Sequence, residues 1–169
     1  MFGTADLPNG IRLRPATDRD RDFERRLHDA NRWELQLVDG EPDFIRSLLD
    51  MQFTAQTEGH GAQHPDALSF IIEKTGEPCG RLVLDVTGTQ VRVVDLAVLP
   101  EAQGKGIGTT VLRAIQHVAG QVGAPVVRMA QRINARAVRT YQALGFRPAA
   151  EQPNPAFVVM AWSPGGAQG

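Results

Sequence analysis

A glycine-rich stretch between a hydrophobic run and an amphipathic run is the first candidate for chemistry. It reads LPEAQGKGIGTT from Leu99 to Thr110 and contains Gly104, Gly106 and Gly108. Glycine tolerates positive φ and lets a ligand approach the backbone closely, although it loses more entropy on ordering than other residues. Free N–H groups and the dipole at the start of the following helix favour an anion. A plain tight turn is the alternative interpretation, and the neighbouring residues have to decide.

Two familiar phosphate-binding patterns do not fit this stretch. A P-loop requires G-x-x-x-x-G-K followed by Ser or Thr, whereas Lys105 is followed by Gly106. A dinucleotide-binding fingerprint requires G-x-G-x-x-G at the first strand-to-helix turn, whereas this stretch follows three strand-like runs and spaces its glycines differently. A nucleotide-binding regulator is therefore only a third hypothesis.

A second polar segment, NARAVRTYQALGF, begins at Asn134. Asn134 and Tyr141 are about two helical turns apart, so a helix places both side chains on one face. Asn134 is a favourable N-cap for this helix, and Gly145 is a favourable residue just beyond its end. From the residues alone, Asn134 is either a cap or a ligand-binding amide, and Tyr141 is either a half-buried aromatic or a functional group.

Both segments resemble motifs of the GCN5-related N-acetyltransferase (GNAT) family. Gln103-x-x-Gly106-x-Gly108 is similar to the family's acyl-CoA-binding motif, and the second segment is similar to its N-x-x-A-x-x-x-Y-x-x-L-G-F pattern. The two occur in the family's order, and the resemblance is strong from about Val91 to Phe146. Over the first 65 residues it extends only to the order of the elements.

The resemblance implies an enzyme that moves an acetyl group from the cosubstrate acetyl-CoA to a primary amine of a small molecule or peptide by direct attack on the thioester. It implies that the pantetheine arm pairs with the strand before the glycines, and that the pyrophosphate lies on the glycine loop. The cofactor-binding residues implied in this way are Leu96, Ala97, Val98, Gln103, Gly104, Lys105, Gly106, Ile107, Gly108, Thr109, Asn134 and Tyr141. For Lys105, simple solvation is the alternative. The alternative function is an acyl-CoA-binding sensor without turnover, and the donor is acetyl or a longer acyl group.

Acetyl transfer needs a group that takes a proton and a group that gives one. A lysine-like amine is protonated at pH 7 and has no free lone pair until it loses that proton. A phenol is neutral at pH 7 and can donate to the departing thiolate, which is the role that the resemblance implies for Tyr141. A backbone N–H near Val98 can polarise the thioester carbonyl.

This chain lacks a glutamate at the positions where the resemblance implies a general base. Family members carry a glutamate at positions that correspond here to Arg92 or Val93, or five residues before the motif asparagine, where this chain has Met129. Asp95 is the nearest available carboxylate and is therefore a candidate catalytic residue. Glu73 and Asp85 are weaker candidates, and a relay of water molecules without a dedicated base is an equal alternative.

A structural role for Asp95 is the alternative. Strand alternation places Asp95 on the same face as Val93 and Ala97. A buried carboxylate needs a partner, and Arg128, which interrupts an otherwise apolar strand face, is the predicted partner. The residues leave open whether Asp95 is a base or one half of an ion pair.

The amine acceptor is predicted to bind in the region from Asn31 to His64. Its candidate residues are Trp33, Glu34, Phe53, Gln56, His60 and His64. Their spacing is not diagnostic, and solvation is the alternative for the two histidines. This region does not distinguish a peptide terminus, a lysine, a polyamine, an aminoglycoside or an amino acid.

Apolar periodicity predicts the elements that position these residues. Ile11 to Arg14 alternates like a strand, Asp18 opens an amphipathic helix, and Pro42 can start a second helix. The runs ALSFIIEK, CGRLVLDVT and QVRVVDLAVL are separated by turn signals and predict an antiparallel meander.

The second half of the chain predicts a different arrangement. A helix begins at Ile107, a strand PVVRMAQR follows, a short helix covers Ala135 to Leu144, and FRPAA and AFVVMAWS form a final strand pair. The strands that flank the first of these helices should be parallel, with a right-handed crossover. The predicted fold class is α/β, with a GNAT-like mixed sheet that has an antiparallel N-terminal meander, a central parallel strand pair splayed for CoA, and about four helices.

Composition limits the remaining possibilities. The chain has 169 residues, of which 42% are hydrophobic, and this fits one domain over residues 1–163 with a flexible tail over 164–169. A net charge of -1 argues against a nucleic-acid or membrane partner. The single cysteine, Cys79, forms no internal disulfide and no metal-ligand spacing.

The chain contains no apolar run of the ~18 residues that a membrane span needs, and its N-terminus lacks the pattern of a secretory leader. The sequence therefore predicts a cytoplasmic location. A monomer and a homodimer both stay open.

Overall fold

Eight strands form one mixed sheet. The structure is a computed structural model and describes residues 3–31, 51, 53–54, 65–152 and 154–165. The strands are β1 (Ala5–Asp6), β2 (Ile11–Pro15), β3 (Leu68–Lys74), β4 (Glu77–Val86), β5 (Val91–Val98), β6 (Val126–Gln131), β7 (Arg147–Pro148) and β8 (Phe157–Trp162). Their order across the sheet is β1-β2-β3-β4-β5-β6-β8-β7.

Neighbouring strands are antiparallel except at the centre of the sheet. β2, β3, β4 and β5 form the predicted antiparallel meander, and β1 adds a short edge strand. β5 and β6 are parallel, and β8 then pairs antiparallel with both β6 and β7. The predicted mixed sheet is confirmed.

Three α-helices lie wholly in the described part of the chain: α1 (Arg21–Ala30), α2 (Ile107–Gln121) and α3 (Ala135–Ala143). Each corresponds to a predicted helix. Most of the helix predicted to start at Pro42 lies outside the described residues, but residues 51 and 53–54, near its predicted end, are helical. Residues 166–169 of the predicted tail also lie outside the described residues. Among the residues that the structure describes, no helix combines the length and apolar character needed to cross a membrane.

Each face of the sheet carries an apolar core. The larger core packs α2 and α3 on one face, and its fully buried side chains include Ile72, Leu82, Val93, Val111, Leu112, Val126, Phe146 and Met160. The smaller core packs α1 on the other face through Phe23, Leu27, Ile71 and Leu99. Each such side chain stabilises the fold by about 1.5–3 kcal/mol on burial. The sheet is thus held from both sides, which fixes the position of its central strands.

A β-bulge in β5 decides which side chains face which core. Leu84 pairs with Val93 and Val83 pairs with Asp95, so Val94 is an extra residue without a partner on β4. A bulge breaks the alternation of the strand. Val93 consequently lies in the larger core, whereas Asp95 lies on the α1 side. The predicted placement of Asp95 and Val93 on one face is wrong, because strict alternation holds only in a strand without a bulge.

A tight ion cluster fixes the start of α1. The Arg14 guanidinium donates to both oxygens of Asp20, at 2.8 and 2.9 Å, and to Glu73 at 2.9 Å. Asp20 also accepts from the backbone N–H of Thr17 at 2.8 Å. These hydrogen bonds, above all that of Arg14, hold the pKa of the Asp20 carboxyl at about 2. Arg14, Asp20 and Glu73 are called the Arg14 cluster below. Glu73, one of the candidate bases, is hydrogen-bonded to Arg14 in this cluster.

Candidate active site

The central parallel pair separates partway along its length. β5 and β6 pair at Val91↔Val126, Arg92↔Val127 and Val93↔Arg128, and then diverge. On the other edge of β5, residues 96–98 continue to pair with β4. The edge of residues 96–98 that faces β6 therefore has no strand partner in the part of the chain that the structure describes. This gap, called the wedge below, presents backbone groups that an extended ligand can pair with.

The glycine loop follows β5 and ends at the start of α2. Gly104 and Gly106 have φ of 76° and 79°, which is the left-handed region that disfavours a Cβ. Gly106 is the N-cap of α2, and no described side chain caps it. A Cβ on Gly108 would meet nothing within 4 Å. The first-turn N–H groups of α2 are thus left for an anion, with free space beside them.

A cavity of about 470 Å³ joins the wedge, the glycine loop and α3. Of the predicted cofactor-binding residues, all but Lys105 line it. Six further residues line it that were not predicted to bind the cofactor, which are Asn31, Ala102, Leu112, Arg136, Ala137 and Thr140. The structure therefore brings the two sequence segments together around one cavity.

Arg136 is the lining residue with the most evident chemistry that the motifs do not include. An ideal Cβ on Gly104 would lie 3.6 Å from the Arg136 Nη2 atom, so the guanidinium lies beside the glycine loop. A guanidinium binds phosphate oxygens with a fork of donors. The sequence contained a signal for this residue. A cation in the first turn of α3 interacts unfavourably with the helix dipole, so its presence there indicates a role other than helix stabilisation.

Gln103 connects three elements rather than pointing freely into the cavity. Its amide nitrogen donates to the Val98 carbonyl at 2.9 Å and to the Asn31 Oδ1 at 3.1 Å. Asn31 follows α1, and Val98 ends β5. The Gln103 side chain therefore holds the loop against the end of β5, where its backbone borders the cavity.

Asn134 is the N-cap of α3, as predicted from the sequence. Its side-chain oxygen accepts from the backbone N–H of Ala137 at 3.1 Å. The capping bond uses the oxygen, and the amide nitrogen carries two donors of its own. Capping and the predicted contact with the pantetheine arm are therefore compatible.

Tyr141 lies on α3 at the base of the wedge. Its side chain is buried, and its ring lies 5.7 Å from the Phe146 ring, centroid to centroid. The Tyr141 hydroxyl accepts a hydrogen bond from the Arg128 Nε at 3.1 Å. The phenol is thus held at the cavity lining with its oxygen against a guanidinium.

The predicted ion pair between Asp95 and Arg128 is wrong. Arg128 lies on the side of the larger core with Tyr141, and the bulge turns Asp95 to the α1 side. The cation near Asp95 is instead Arg81, whose Nε lies 3.8 Å from Asp95 and 3.7 Å from Glu24. Both distances exceed that of a hydrogen bond. Arg81, Glu24 and Asp95 are called the Arg81 cluster below.

The Arg81 cluster is loosely paired. The Arg81 Nε is buried and makes no hydrogen bond to any described residue. Burial raises the pKa of the Glu24 carboxyl, and Arg81 lowers it by less. Asp95 lies directly before Leu96, which lines the cavity. The two carboxylates of this cluster therefore share one guanidinium on the α1 side of the sheet, without a hydrogen bond to its Nε.

Most candidates for the acceptor pocket lie outside the described residues. Phe53 is the exception, and it is buried against α1, with its ring 5.3 Å from the His28 ring and 5.4 Å from the Arg25 guanidinium. The other predicted residues of this pocket, which fall on undescribed positions, are Trp33, Glu34, Gln56, His60 and His64. Of the other candidate bases, Asp85 faces Arg92 in the β4–β5 register.

Comparison with known proteins gives one family match. The model of the "Acetyltransferase (GNAT) family" matches residues 25–146. That range includes both motifs, the wedge and the cavity. No protein with a curated function is significantly similar to this chain.

Solved structures share the fold at low sequence identity. PaiA N-acetyltransferase from Thermoplasma acidophilum, in complex with coenzyme A, has a TM-score of 0.67 at 17% identity and covers 90% of this chain and 98% of its own. Mycobacterium smegmatis RimJ, in complex with CoA-disulfide, has a TM-score of 0.63 at 22% identity, with 95% and 86% covered. The ribosomal-protein-S18-alanine N-acetyltransferase from Escherichia coli has a TM-score of 0.63 at 16% identity, with 94% and 96% covered.

Proposed function

This chain belongs to the GNAT acetyltransferase family, and on that premise we propose that it transfers the acetyl group of acetyl-CoA to a primary amine of a small molecule or peptide. The family and the enzyme class predicted from the two motifs are confirmed. The observation that carries the proposal is the meeting of an unpaired strand edge, an uncapped helix N-terminus and a buried phenol in one cavity. The described residues thus offer a backbone partner, an anion site and a proton donor together.

Acetyl-CoA fits these features in one orientation. Its pyrophosphate would lie against the N–H groups of the loop from Gly104 to Thr109, where Arg136 adds a cation. Its pantetheine arm would then pair with the free edge of residues 96–98, as a β-strand does. Two related structures contain coenzyme A or its disulfide, which supports this choice of cosubstrate.

The reaction needs a proton donor at the sulfur. The amine nitrogen attacks the thioester carbon, the C–N bond forms, and the C–S bond breaks to release a thiolate. Tyr141 is placed to donate its proton to that sulfur, while the nitrogen loses one proton to a base or to water. Backbone N–H groups of the wedge near Val98 would stabilise the oxyanion that forms in between.

The acceptor is an amine of either a peptide or a small molecule. The Escherichia coli relative acts on an alanine of a ribosomal protein, which supports a peptide amine as one acceptor class. The Arg81 cluster, which has two carboxylates and one guanidinium on the α1 side of the sheet, supports a cationic acceptor of either class. The cytoplasmic location and the oligomeric state stay predictions.

A panel of amines tests the proposal directly. The panel contains peptides with free N-termini, lysine derivatives, polyamines, aminoglycosides and amino acids. We expect CoA release in the presence of acetyl-CoA and one class of amine, and a product whose mass increases by one acetyl group. Tight binding of acetyl-CoA without CoA release from any amine would favour the sensor instead. Preferential binding of ATP or NAD over CoA in competition calorimetry would favour the nucleotide-binding regulator.

Gly106→Val tests the assignment of the anion site to the glycine loop. A β-branched side chain is strained at φ of 79° and would hold a phosphate away from the loop. Because Gly106 lies in an exposed loop, we expect the variant to fold. Its affinity for CoA should fall at least about 100-fold, because several charge-assisted hydrogen bonds to the phosphates are lost. Undiminished CoA affinity in a folded variant would contradict the assignment of the pyrophosphate to this loop.

A further inference from the structure

We propose that Arg128 is a positioning residue for acetyl transfer, which holds the Tyr141 hydroxyl in its donating orientation and closes the base of the wedge. This inference rests on the proposed function for its chemistry. Its geometry rests only on the described residues. Arg128 belongs to neither motif, and its predicted ion pair with Asp95 does not form.

Arg128 lies where the two central strands part. Val93↔Arg128 is the last pair of the parallel ladder, and the next residue of β5, Val94, is the bulge residue. The Arg128 Nη1 donates to the carbonyls of both Val93 and Val94, at 3.2 and 3.0 Å. In a regular strand, successive carbonyls point to opposite edges. The bulge turns two of them toward one guanidinium nitrogen, which replaces the missing strand.

The contact with the phenol has a defined direction. Arginine is a donor only and stays protonated. In the hydrogen bond from the Arg128 Nε, the Tyr141 oxygen is therefore the acceptor, at 3.1 Å. The single hydroxyl proton cannot lie in that bond, so it points to another partner. Because Tyr141 lines the cavity, the sulfur of bound acetyl-CoA is the partner that the proposed function supplies.

The positive charge of Arg128 is available to the reaction. Its three hydrogen bonds all go to uncharged oxygens, one phenol and two carbonyls. When the thiolate leaves, the O–H bond of Tyr141 breaks, an S–H bond forms, and the electron pair stays on the phenol oxygen. The Arg128 Nε faces that oxygen and stabilises the developing negative charge. The phenolate then regains a proton from water, which balances the proton lost by the amine.

Substitutions of Arg128 test this role against a purely structural one. We expect Arg128→Gln and Arg128→Lys to lower kcat at least about 10-fold, with the KM for acetyl-CoA changed no more than about 3-fold. Lysine can donate to both carbonyls, yet it has no second nitrogen for the phenol. Arg128→Lys should therefore melt close to the wild type and still lose turnover. Arg132→Gln is the matched control, because the Arg132 Nε donates to the Pro155 carbonyl at 3.0 Å and to no catalytic group that the structure describes.

A double variant shows whether Arg128 acts through Tyr141. If it does, Arg128→Lys lowers kcat little further in a Tyr141→Phe background, since the two act as one unit. Multiplicative losses in the double variant would overturn the proposal. Wild-type turnover in both single Arg128 variants would overturn it as well.

A readout without activity separates this proposal from the proposed function. Tyr141 is the one tyrosine of the chain, so tyrosine labelled with ¹³C at Cζ gives a single resonance. We expect Arg128→Lys to shift that resonance in the free protein, and Arg132→Gln to leave it unchanged. An unchanged resonance in Arg128→Lys would overturn the contact even in an active enzyme. A shifted resonance in a protein that acetylates no amine would leave the contact standing and remove the proposed function.

Discussion

The polar groups in the two halves of the sheet have different kinds of partner. In the half that contains β2 and β3, Arg14 is matched by two carboxylates at 2.8 to 2.9 Å. In the half around β5 and β6, the hydrogen bonds of Arg128 to described residues go to a phenol and two carbonyls, and no described strand pairs with the β5 edge beyond it. The first half uses its polar groups to stabilise the fold. The second leaves the strand edge and the Tyr141 phenol at a cavity, where a ligand can contact them.

The Arg81 cluster lies between these extremes. Arg81 has two carboxylates within 4 Å, as Arg14 does, but neither at hydrogen-bond distance. Burial raises the pKa of Glu24, whereas the pKa of Asp20 in the Arg14 cluster is held at about 2. The same three residue types therefore form one network at hydrogen-bond distances and one without them, and Asp95 of the second directly precedes Leu96, which lines the cavity.

Tyr141→Phe should produce the largest effect on activity. We expect turnover to fall about 10- to 10⁴-fold with little change in CoA affinity, because a positioned proton donor is lost while the ring remains. Steady-state kinetics with the identified amine, beside calorimetric CoA binding, measure both. Normal turnover, with chemistry shown to limit the rate, would remove Tyr141 from the mechanism.

Asp95→Asn tests whether the Arg81 cluster takes part in catalysis or stabilises the fold. If Asp95 is the base, we expect turnover to fall at least about 10-fold, with the acidic limb of the pH profile displaced. The free energy of unfolding should change by less than about 1 kcal/mol, because no hydrogen bond to Arg81 is lost. Glu24→Gln, at the other carboxylate of the same arginine, should keep its turnover. A loss of about 3 kcal/mol of stability with turnover intact would make Asp95 structural.

Asp20→Asn should affect stability alone. We expect a loss of about 2 kcal/mol, because Arg14 loses a charged, bidentate partner that is buried. Asp6→Asn is the matched control, since Asp6 also binds an arginine, Arg12 at 2.7 Å, but on an exposed surface. Urea unfolding should separate the two variants, and equal midpoints would contradict a special role for the Arg14 cluster. The kcat of the folded protein should be unchanged in both.

Acid should weaken the same cluster gradually. The pKa of Asp20 is lower in the folded protein than in the unfolded chain, so its contribution is fully present above about pH 4. That contribution is lost as pH falls through about 2, where the folded carboxyl takes up its proton. Unfolding midpoints measured across this range should fall less steeply in Asp20→Asn than in the wild type. Parallel curves would assign the acid sensitivity to other groups.

Local patterns were sufficient for the elements and most of the cavity. The meander, α2 and α3 follow from apolar periodicity and turn residues, because these signals depend on neighbours a few positions apart. The Asn134 cap and the positive φ of Gly106 are equally local. Arg136 was missed, although a cation at the start of a helix is a local signal.

The sequence by itself determined the order of the strands and helices, the glycine loop and the helix that carries Tyr141. Only the tertiary structure decided the partners of the buried charges. The bulge at Val94 arises from the pairing of β5 with β4, and no residue pattern within β5 predicts it. That one extra residue turns Asp95 toward Arg81 and leaves Arg128 to the phenol. The physical reason is that alternation is a property of one strand, whereas register, and with it the face of every later side chain, is set between strands.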